Sequence, residues 1–529
     1  MMCRTVAGVS ALGVILGVCA GSSLAQQAFT TPGDPKGTAA SSRGPRSSGL
    51  QRVASQNIPQ VPPPSVPPPP VPPPPTATEA PPAAPGATEP LQTNRDLALP
   101  KSEREGGGGE PTTATAEAEA PAEGAAAKDP TKLLMNALGR EEAPVKVYGW
   151  IQNSFTGNTL GTPKNSLNFG VNPNFLANRW MGNQYYLIFE NPLEQGDEIN
   201  FGFRIDNLFG NDWVFNHMRG LFEHSFQLNH FAGYDPAQMY AEVHLPWITK
   251  GGLDVKGGRF YTILGYEVVP ATGRPLLSVP YMFNYGQPFT HFGFLSTLHV
   301  TDRVNWYNGA VNGWDRWIDQ NYKWNYLGGV TWTSKDGKAA LALSYIFGPD
   351  QYPRFLRANT PIVLPGTTFP PYLAGHRNIG YGGNWRTMFT TVFTYKWTDK
   401  ITQVIETDEA IEKNVPGLGV GGASNDASWY SFGNWFLYSF NEKIMGVWRA
   451  EVFWDESGVR TGQVDVNTRL VRLKGDRYYE MTLGAQIKPY EWLWIRPEAR
   501  YDWSQFHPAY SGETRKSQLT LAFDVIFLF

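Results

Sequence analysis

From about residue 145 to the last residue, apolar and polar positions alternate with a period of two in one segment after another. The final segment is the clearest. Leu519, Leu521, Phe523, Val525, Phe527 and Phe529 take every second position, with Gln518, Thr520, Ala522, Asp524, Ile526 and Leu528 between them. A period of two puts one set on each face of a β-strand. The same pattern sets Ile199, Phe201, Phe203 and Ile205 against Arg204 and Asp206, and Met239, Ala241, Val243 and Leu245 against Glu242 and His244. It recurs with Trp448, Ala450, Val452 and Trp454 against Arg449 and Glu451, and with Leu493, Ile495, Pro497 and Ala499 against Arg496, Glu498, Arg500 and Asp502. One face suits lipid and the other carries ionisable groups. The segments run roughly 9 to 12 residues, the length of a tilted strand across a bilayer.

A soluble sandwich would alternate in the same way, so the connections decide. Short ones (191–197, 246–251, 301–303, 334–338, 398–400, 440–443, 489–491) alternate with long ones (156–179, 209–236, 263–289, 349–385, 455–476). That rhythm belongs to outer-membrane barrels. It predicts an all-β fold, a transmembrane antiparallel β-barrel of about 16 strands with both ends in the periplasm. Aromatics make up 14% of the chain, and Tyr148, Trp150, Trp180, Trp397, Trp454 and Trp503 fall near strand ends, where interfacial girdles form. A Trp-rich carbohydrate-binding β-protein is the rival reading of these rings. Two stretches, 401–410 and 429–439, alternate poorly, and Gly257-Gly258 before Arg259 is the signature of a bulge.

The N-terminal part differs in composition. Arg4, the apolar run 6–20 and Ser23-Leu24-Ala25 read as a signal peptide over 1–25 with cleavage before Gln26; a lipidated Cys19 is the competing reading. Residues 26–140 are rich in Pro, Ala, Gly and Glu, with polyproline from 62 to 75 and an Ala/Glu-rich run from 114 to 127. Such a segment cannot bury a core, and we expect a disordered periplasmic tether, with the barrel over 141–529. A helical turn over 132–138, with Leu133, Leu134 and Leu138 on one side, is expected at the barrel entrance.

Net charge is -3, so nothing demands nucleic acid. The two cysteines, Cys3 and Cys19, lie in the expected leader, so a thiol nucleophile and a cysteine metal site are excluded from the expected mature chain. No GxSxG, HExxH, Walker A or dinucleotide fingerprint stands out, and the eight histidines are scattered. No enzyme, cofactor or metal is expected, and the tail is too poor in apolar residues to supply the plug of an actively coupled receptor. A barrel of about 16 strands is wide enough for water. The expected pore wall is Arg204, Asp206, Glu242, His244, Asp254, Lys256, Arg449, Glu451, Arg496, Glu498, Arg500 and Asp502. Burying so many charges in a dry interior is costly, so the economical expectation is a wet, mixed-sign and weakly selective lumen. By analogy with trimeric porins the third long connection, 263–289, folds inward, with Glu267 and Arg274 as constriction residues. Phe527 and Phe529 fit a C-terminal signal for the outer-membrane assembly machinery.

Gly258-Arg259-Phe260-Tyr261-Thr262-Ile263-Leu264-Gly265-Tyr266-Glu267, then Tyr285-Gly286-Gln287-Pro288-Phe289-Thr290-His291-Phe292-Gly293, resemble the β-barrel porin-2 (OmpL-like) family of outer-membrane proteins, planctomycete type. Gly309-Ala310-Val311-Asn312-Gly313-Trp314-Asp315 and 327–331 extend the resemblance, which covers roughly 145–529. The stretch 274–278 departs from it by being more apolar. The resemblance implies an outer-membrane barrel. The expected function is passive diffusion of small hydrophilic solutes and ions; a closed structural or adhesive barrel tethered to the cell wall is the alternative. Expected partners are outer-membrane lipid, the assembly machinery and, through the tail, the cell wall, with a homotrimer among the admissible assemblies.

Overall fold

The computed structural model describes residues 133–529 apart from 141–142, 165, 219, 222–231, 320–322, 351–384, 416–424, 465–470 and 473. The expected leader and most of the expected tether lie outside the described residues. The strands are β1 Lys146–Asn158, β2 Arg179–Asn191, β3 Asn200–Gly210, β4 Gly233–Leu245, β5 Leu253–Tyr261, β6 Thr290–Thr301, β7 Val304–Val311, β8 Asn325–Thr333 and β9 Ala339–Pro349. Then come β10 Trp385–Lys396, β11 Ile401–Val415, β12 Asn425–Asn441, β13 Ile444–Asp455, β14 Gln463–Val464, β15 Val471–Arg472, β16 Asp476–Tyr490, β17 Leu493–Ser504 and β18 Ser517–Leu528. β14 and β15 form a separate two-stranded ribbon, and the other 16 close into one antiparallel barrel.

Neighbours in the barrel are neighbours in the chain, and the ring is closed by β1 against β18, from Trp150↔Leu528 to Asn158↔Thr520. The connections 302–303, 442–443 and 491–492 are tight, whereas 159–178, 211–232, 262–289 and 505–516 are long and lie at the other end. Strand number, pairing and loop rhythm therefore follow the sequence pattern. No helix among the described residues is long and apolar enough to cross a membrane; the strands supply the crossing.

On β18 the odd residues Leu521, Phe523 and Phe527 are exposed on the outside, while Gln518, Thr520, Asp524 and Ile526 are buried inside. Trp180 and Trp397 stand outward as expected of a girdle. Trp150 does not: it faces the interior and stacks on Tyr186 with ring centroids 4.1 Å apart. Tyr148 also turns inward, donating to Glu190 at 2.5 Å. Both occupy even positions of β1, so the period of two, and not nearness to a strand end, sets their direction.

Two smaller expectations are corrected. The entrance helix, α1, spans Leu133–Ala137 and buries Met135, whereas Leu138 is 60% exposed. Gly257-Gly258 carries no bulge, because β5 keeps register with β4 and β6 throughout. Gly258 instead has φ +134°, and a Cβ there would lie 2.3 Å from the Met239 carbonyl oxygen. Gly258→Ala is therefore expected to cost about 1–3 kcal/mol; an unchanged denaturation midpoint would show that the ladder tolerates a side chain here.

Candidate functional site

Part of the inner wall is covered by the protein's own chain. Residues 263–289 run inside the barrel, through a 3-10 turn at Ala271–Gly273 and a π-helical turn at Met282–Gly286, and most of their side chains are buried. Such a segment carries main-chain N–H and C=O groups that a sheet would have paired, and in a dry interior each needs a partner. The wall supplies charged ones. Glu498 accepts from the amides of Leu277 and Ser278 at 3.0 and 3.1 Å, and Glu451 from those of Tyr281 and Met282. Glu406 on β11 accepts from the amide of Tyr266 at 3.2 Å.

The carbonyls meet guanidinium groups. Arg496 donates to Ala271 O at 2.8 Å and Arg274 O at 2.7 Å. Arg449 donates to Ser278 O at 2.6 Å, and Arg500 to Val279 O at 2.7 Å. Each arginine also holds a carboxylate on the wall: Arg496 with Asp524, Arg449 with Glu480, Arg500 with Asp502. Planar guanidinium groups suit this double duty, because five fixed donors serve a carboxylate and a carbonyl at once. An ion pair out of water survives when its remaining donors and acceptors are also satisfied, and the docked backbone contributes to that.

Other external loops close over the segment. Val279 donates its amide to Asn172 O at 2.9 Å, and Arg460 donates to Tyr285 O at 2.5 Å. The Tyr281 and Tyr510 hydroxyls lie 3.0 Å apart, with Phe169 and Tyr478 against the same rings. Asp315, in the loop after β7, accepts the amides of Phe289 and Thr290. Burial holds its carboxyl above the usual range, an effect those two amides only partly offset.

All twelve residues expected to line a pore lie on barrel strands, and the structure brings them to the inner face in two groups. Arg449, Glu451, Arg496, Glu498, Arg500 and Asp502 hold residues 263–289. Arg204, Asp206, Glu242, His244, Asp254 and Lys256 sit on β3 to β5. There Arg204 bridges Glu190 and Asp206 at 3.2 and 2.7 Å, Lys256 lies 3.6 Å from Glu242, and His244 Nδ1 is 2.6 Å from Asp254. The charges expected on the wall are thus mostly paired with one another, and Arg449, Arg496 and Arg500 are fully buried. The costs that argued for water are met by ion pairs and by main-chain groups from the protein itself.

Glu267 and Arg274 do lie inside the barrel, buried and not projecting into a gap. Glu267 accepts from Trp435 Nε1 at 3.1 Å. Arg274 lies 3.7 Å from Asp212, beside a cavity of about 30 Å³ lined also by Asn216 and Asn284, room for a water or two. Phe527 points outward, and Phe529 exchanges two main-chain hydrogen bonds with Gly149 at 2.9 and 3.0 Å.

Sequence reasoning missed Gln184, Glu406, Asp408, Glu480, Gln287 and Arg259 as interior partners. Gln184 binds Val269 O and the Ala271 amide, and Gln287 donates to both Glu406 and Asp408. Arg259 grips Asp235 and the carbonyls of Pro236 and Asn216. Glu480 was findable, since it follows Tyr478 and precedes Thr482 on one face of β16. Among the described residues, no cluster of three or more acids, histidines or cysteines could hold a metal ion.

A family model, "Putative beta-barrel porin-2, OmpL-like", matches residues 144–529. No curated protein matches the chain. Similar solved structures include the outer-membrane channel DcaP of Acinetobacter baumannii, 8% identical, covering 73% of this chain and 97% of its own, with TM-score 0.45. The anion-selective porin from Comamonas acidovorans is 9% identical over 73% of this chain and 99% of its own, with TM-score 0.45. Pseudomonas putida OprB is 13% identical over 77% of this chain and 100% of its own, with TM-score 0.47.

Proposed function

We propose, from the premise that the chain belongs to the putative beta-barrel porin-2, OmpL-like family, that its passage is narrowed by residues 263–289. The chain is an outer-membrane porin, which points to a channel rather than an enzyme, and passive diffusion of small hydrophilic solutes and ions is its function. The observation that carries the narrowing is the docking of that segment's main chain on Glu451, Glu498, Arg449, Arg496 and Arg500. A conducting path must pass beside it. Because wall charges of both signs are paired with each other, weak ion selectivity follows.

The closed structural barrel is the second reading, and one observation favours it. On β6 to β11 the inner positions Leu295, Leu327, Ile346, Val392 and Val404 are apolar and buried, which suits a packed interior more than a channel wall. Planar-bilayer recording of the purified full chain separates the two. Small, steplike, weakly selective conductance is expected; silence from a demonstrably folded barrel would establish the closed reading.

The finer parts of the proposal are a homotrimer, a cell-wall attachment through residues 26–140, and recognition of Phe527 and Phe529 by the assembly machinery. The terminal pair is supported by its placement: Phe529 is knitted to Gly149 at the seam where β18 meets β1.

A further inference from the structure

On the outside of the barrel the long-loop rim holds a guanidinium that lacks an acceptor. Along β16 the outward residues run Arg477, Tyr479, Met481 and Leu483, and the last two are 47% and 64% exposed. Beside them β13 shows Trp454, Val452 and Ala450, and β17 shows Trp503, Tyr501 and Ala499. Apolar side chains give way to rings and then to a cation. That is the order of media from hydrocarbon to headgroups.

Arg477 is half-buried. Its Cζ lies 4.0 Å over the Trp454 ring and 5.9 Å from the Phe506 ring, so aromatic faces fix the fork in place. Nε is buried without an acceptor, and among the described residues the guanidinium has no hydrogen bond and no ion pair. The neighbouring carboxylates are committed elsewhere. Asp476 is buried and accepts the amides of Gln505, Phe506 and His507. Glu456 accepts from Ser428, and Glu513 lies with Lys474 and His507 around a small cavity in the last loop.

Two more donors stand in the same row. Gln505, exposed just past β17, donates its amide to Arg477 O at 3.0 Å. Its Oε1 accepts the Tyr479 hydroxyl at 2.9 Å, which leaves its Nε2 as a donor. Lys516, exposed just before β18, rests Nζ on Gln505 O at 3.0 Å. Two strand spacings, about 10 Å, cover the row. A partly desolvated guanidinium without an acceptor is costly, and its planar fork matches two phosphate oxygens. We propose that Arg477, with Gln505 and Lys516, binds the phosphate of a lipid headgroup at this rim. A free phosphate ion would meet the same fork but not the apolar strip beneath it, where Tyr501, Met481 and Leu483 are exposed to take the acyl chains. The site rests on the outer-membrane location of the family and not on conduction.

Native mass spectrometry of the purified full chain in detergent, counting bound lipid, tests this. The probes are dioleoyl phosphatidic acid and dioleoylglycerol, the same lipid without its phosphate. Phosphatidic acid is expected to bind about tenfold more tightly, the scale of one charge-assisted contact. Arg477→Gln should remove that preference and leave dioleoylglycerol unchanged; Arg477→Lys should keep only part of it. Gln505→Leu with Lys516→Gln, which spares the stack on Trp454, should lower the preference about threefold. Lys413→Gln, which removes an outward cation already 2.7 Å from Asp426, should leave it intact and so exclude a general effect of net charge. The proposal is overturned if a folded Arg477→Gln barrel keeps the preference. It is equally overturned if millimolar inorganic phosphate abolishes the preference, which makes the free ion the ligand. If Arg477→Gln instead breaks an oligomer into smaller species, a second copy is the occupant and the lipid reading fails.

Discussion

Single-channel conductance is expected to rise about tenfold when residues 263–288 are replaced by a four-residue Gly/Ser turn, since barrels of 16–18 strands leave an aqueous channel once nothing fills them. The swap is sterically simple. Tyr261 and Thr290 pair directly across β5 and β6, and Thr262 bonds Phe289 at 3.0 Å, so the two strands already meet where a hairpin turn would join them. What leaves is the protein that now satisfies Glu451, Glu498, Arg449, Arg496 and Arg500; what enters is water, which satisfies them equally well. Each wall pair keeps its own partner, so the barrel has reason to survive the change. Unchanged conductance in a folded variant would show that the segment does not limit the path.

Arg496→Ala is expected to destabilise the barrel by about 3–5 kcal/mol, the cost of leaving one member of a buried pair behind. Asp524 would lose both guanidinium contacts and keep the Gln152 amide at 2.6 Å. The carbonyls of Ala271 and Arg274 would lose their donor as well. Arg496→Lys should recover little, because one ammonium cannot span a carboxylate and two carbonyls as a planar fork does. Denaturant unfolding of the reconstituted barrel measures both. A loss below about 1 kcal/mol, the scale of an exposed pair, would mean that water reaches this site.

Much of this was legible beforehand because lipid imposes a rule on every second residue. β18 could be read from Leu519 to Phe529 since its outer face must be apolar and its inner face holds Thr520 and Asp524. The content of the lumen was not legible, for the same reason: alternation reports which way a residue points and not what it meets. Arg449 and Arg500 look alike whether they face water or a carbonyl. The two stretches that alternate poorly did carry the missing signal. On β11 and β12 the inner positions Val404, Ala410, Trp429, Trp435 and Leu437 are buried, and Trp429 and Trp435 donate to Gly286 O and Glu267 of the inserted segment. Apolar residues on both faces of a barrel strand mean protein inside the barrel. The constriction residues are a different case. Glu267 and Arg274 were placed on the right loop, but charge alone could not show that a guanidinium and a carboxylate there would be packed away from the solvent.

The order of events during folding follows from where the wall groups lie in the chain. Residues 263–289 are made before every strand from β6 onward. Gln184 and Asn172 upstream already hold part of them, yet the charged wall groups that grip the rest are far downstream: Gln287 and Glu406 are 119 positions apart, and Ala271 and Arg496 are 225 apart. Contacts of such separation form late, after the intervening chain has been brought together. The segment therefore has only part of its seat until the second half of the ring exists, and that half is anchored only when β18 meets β1. On this account the barrel's charged seat for the segment is completed last, when the far wall closes the ring.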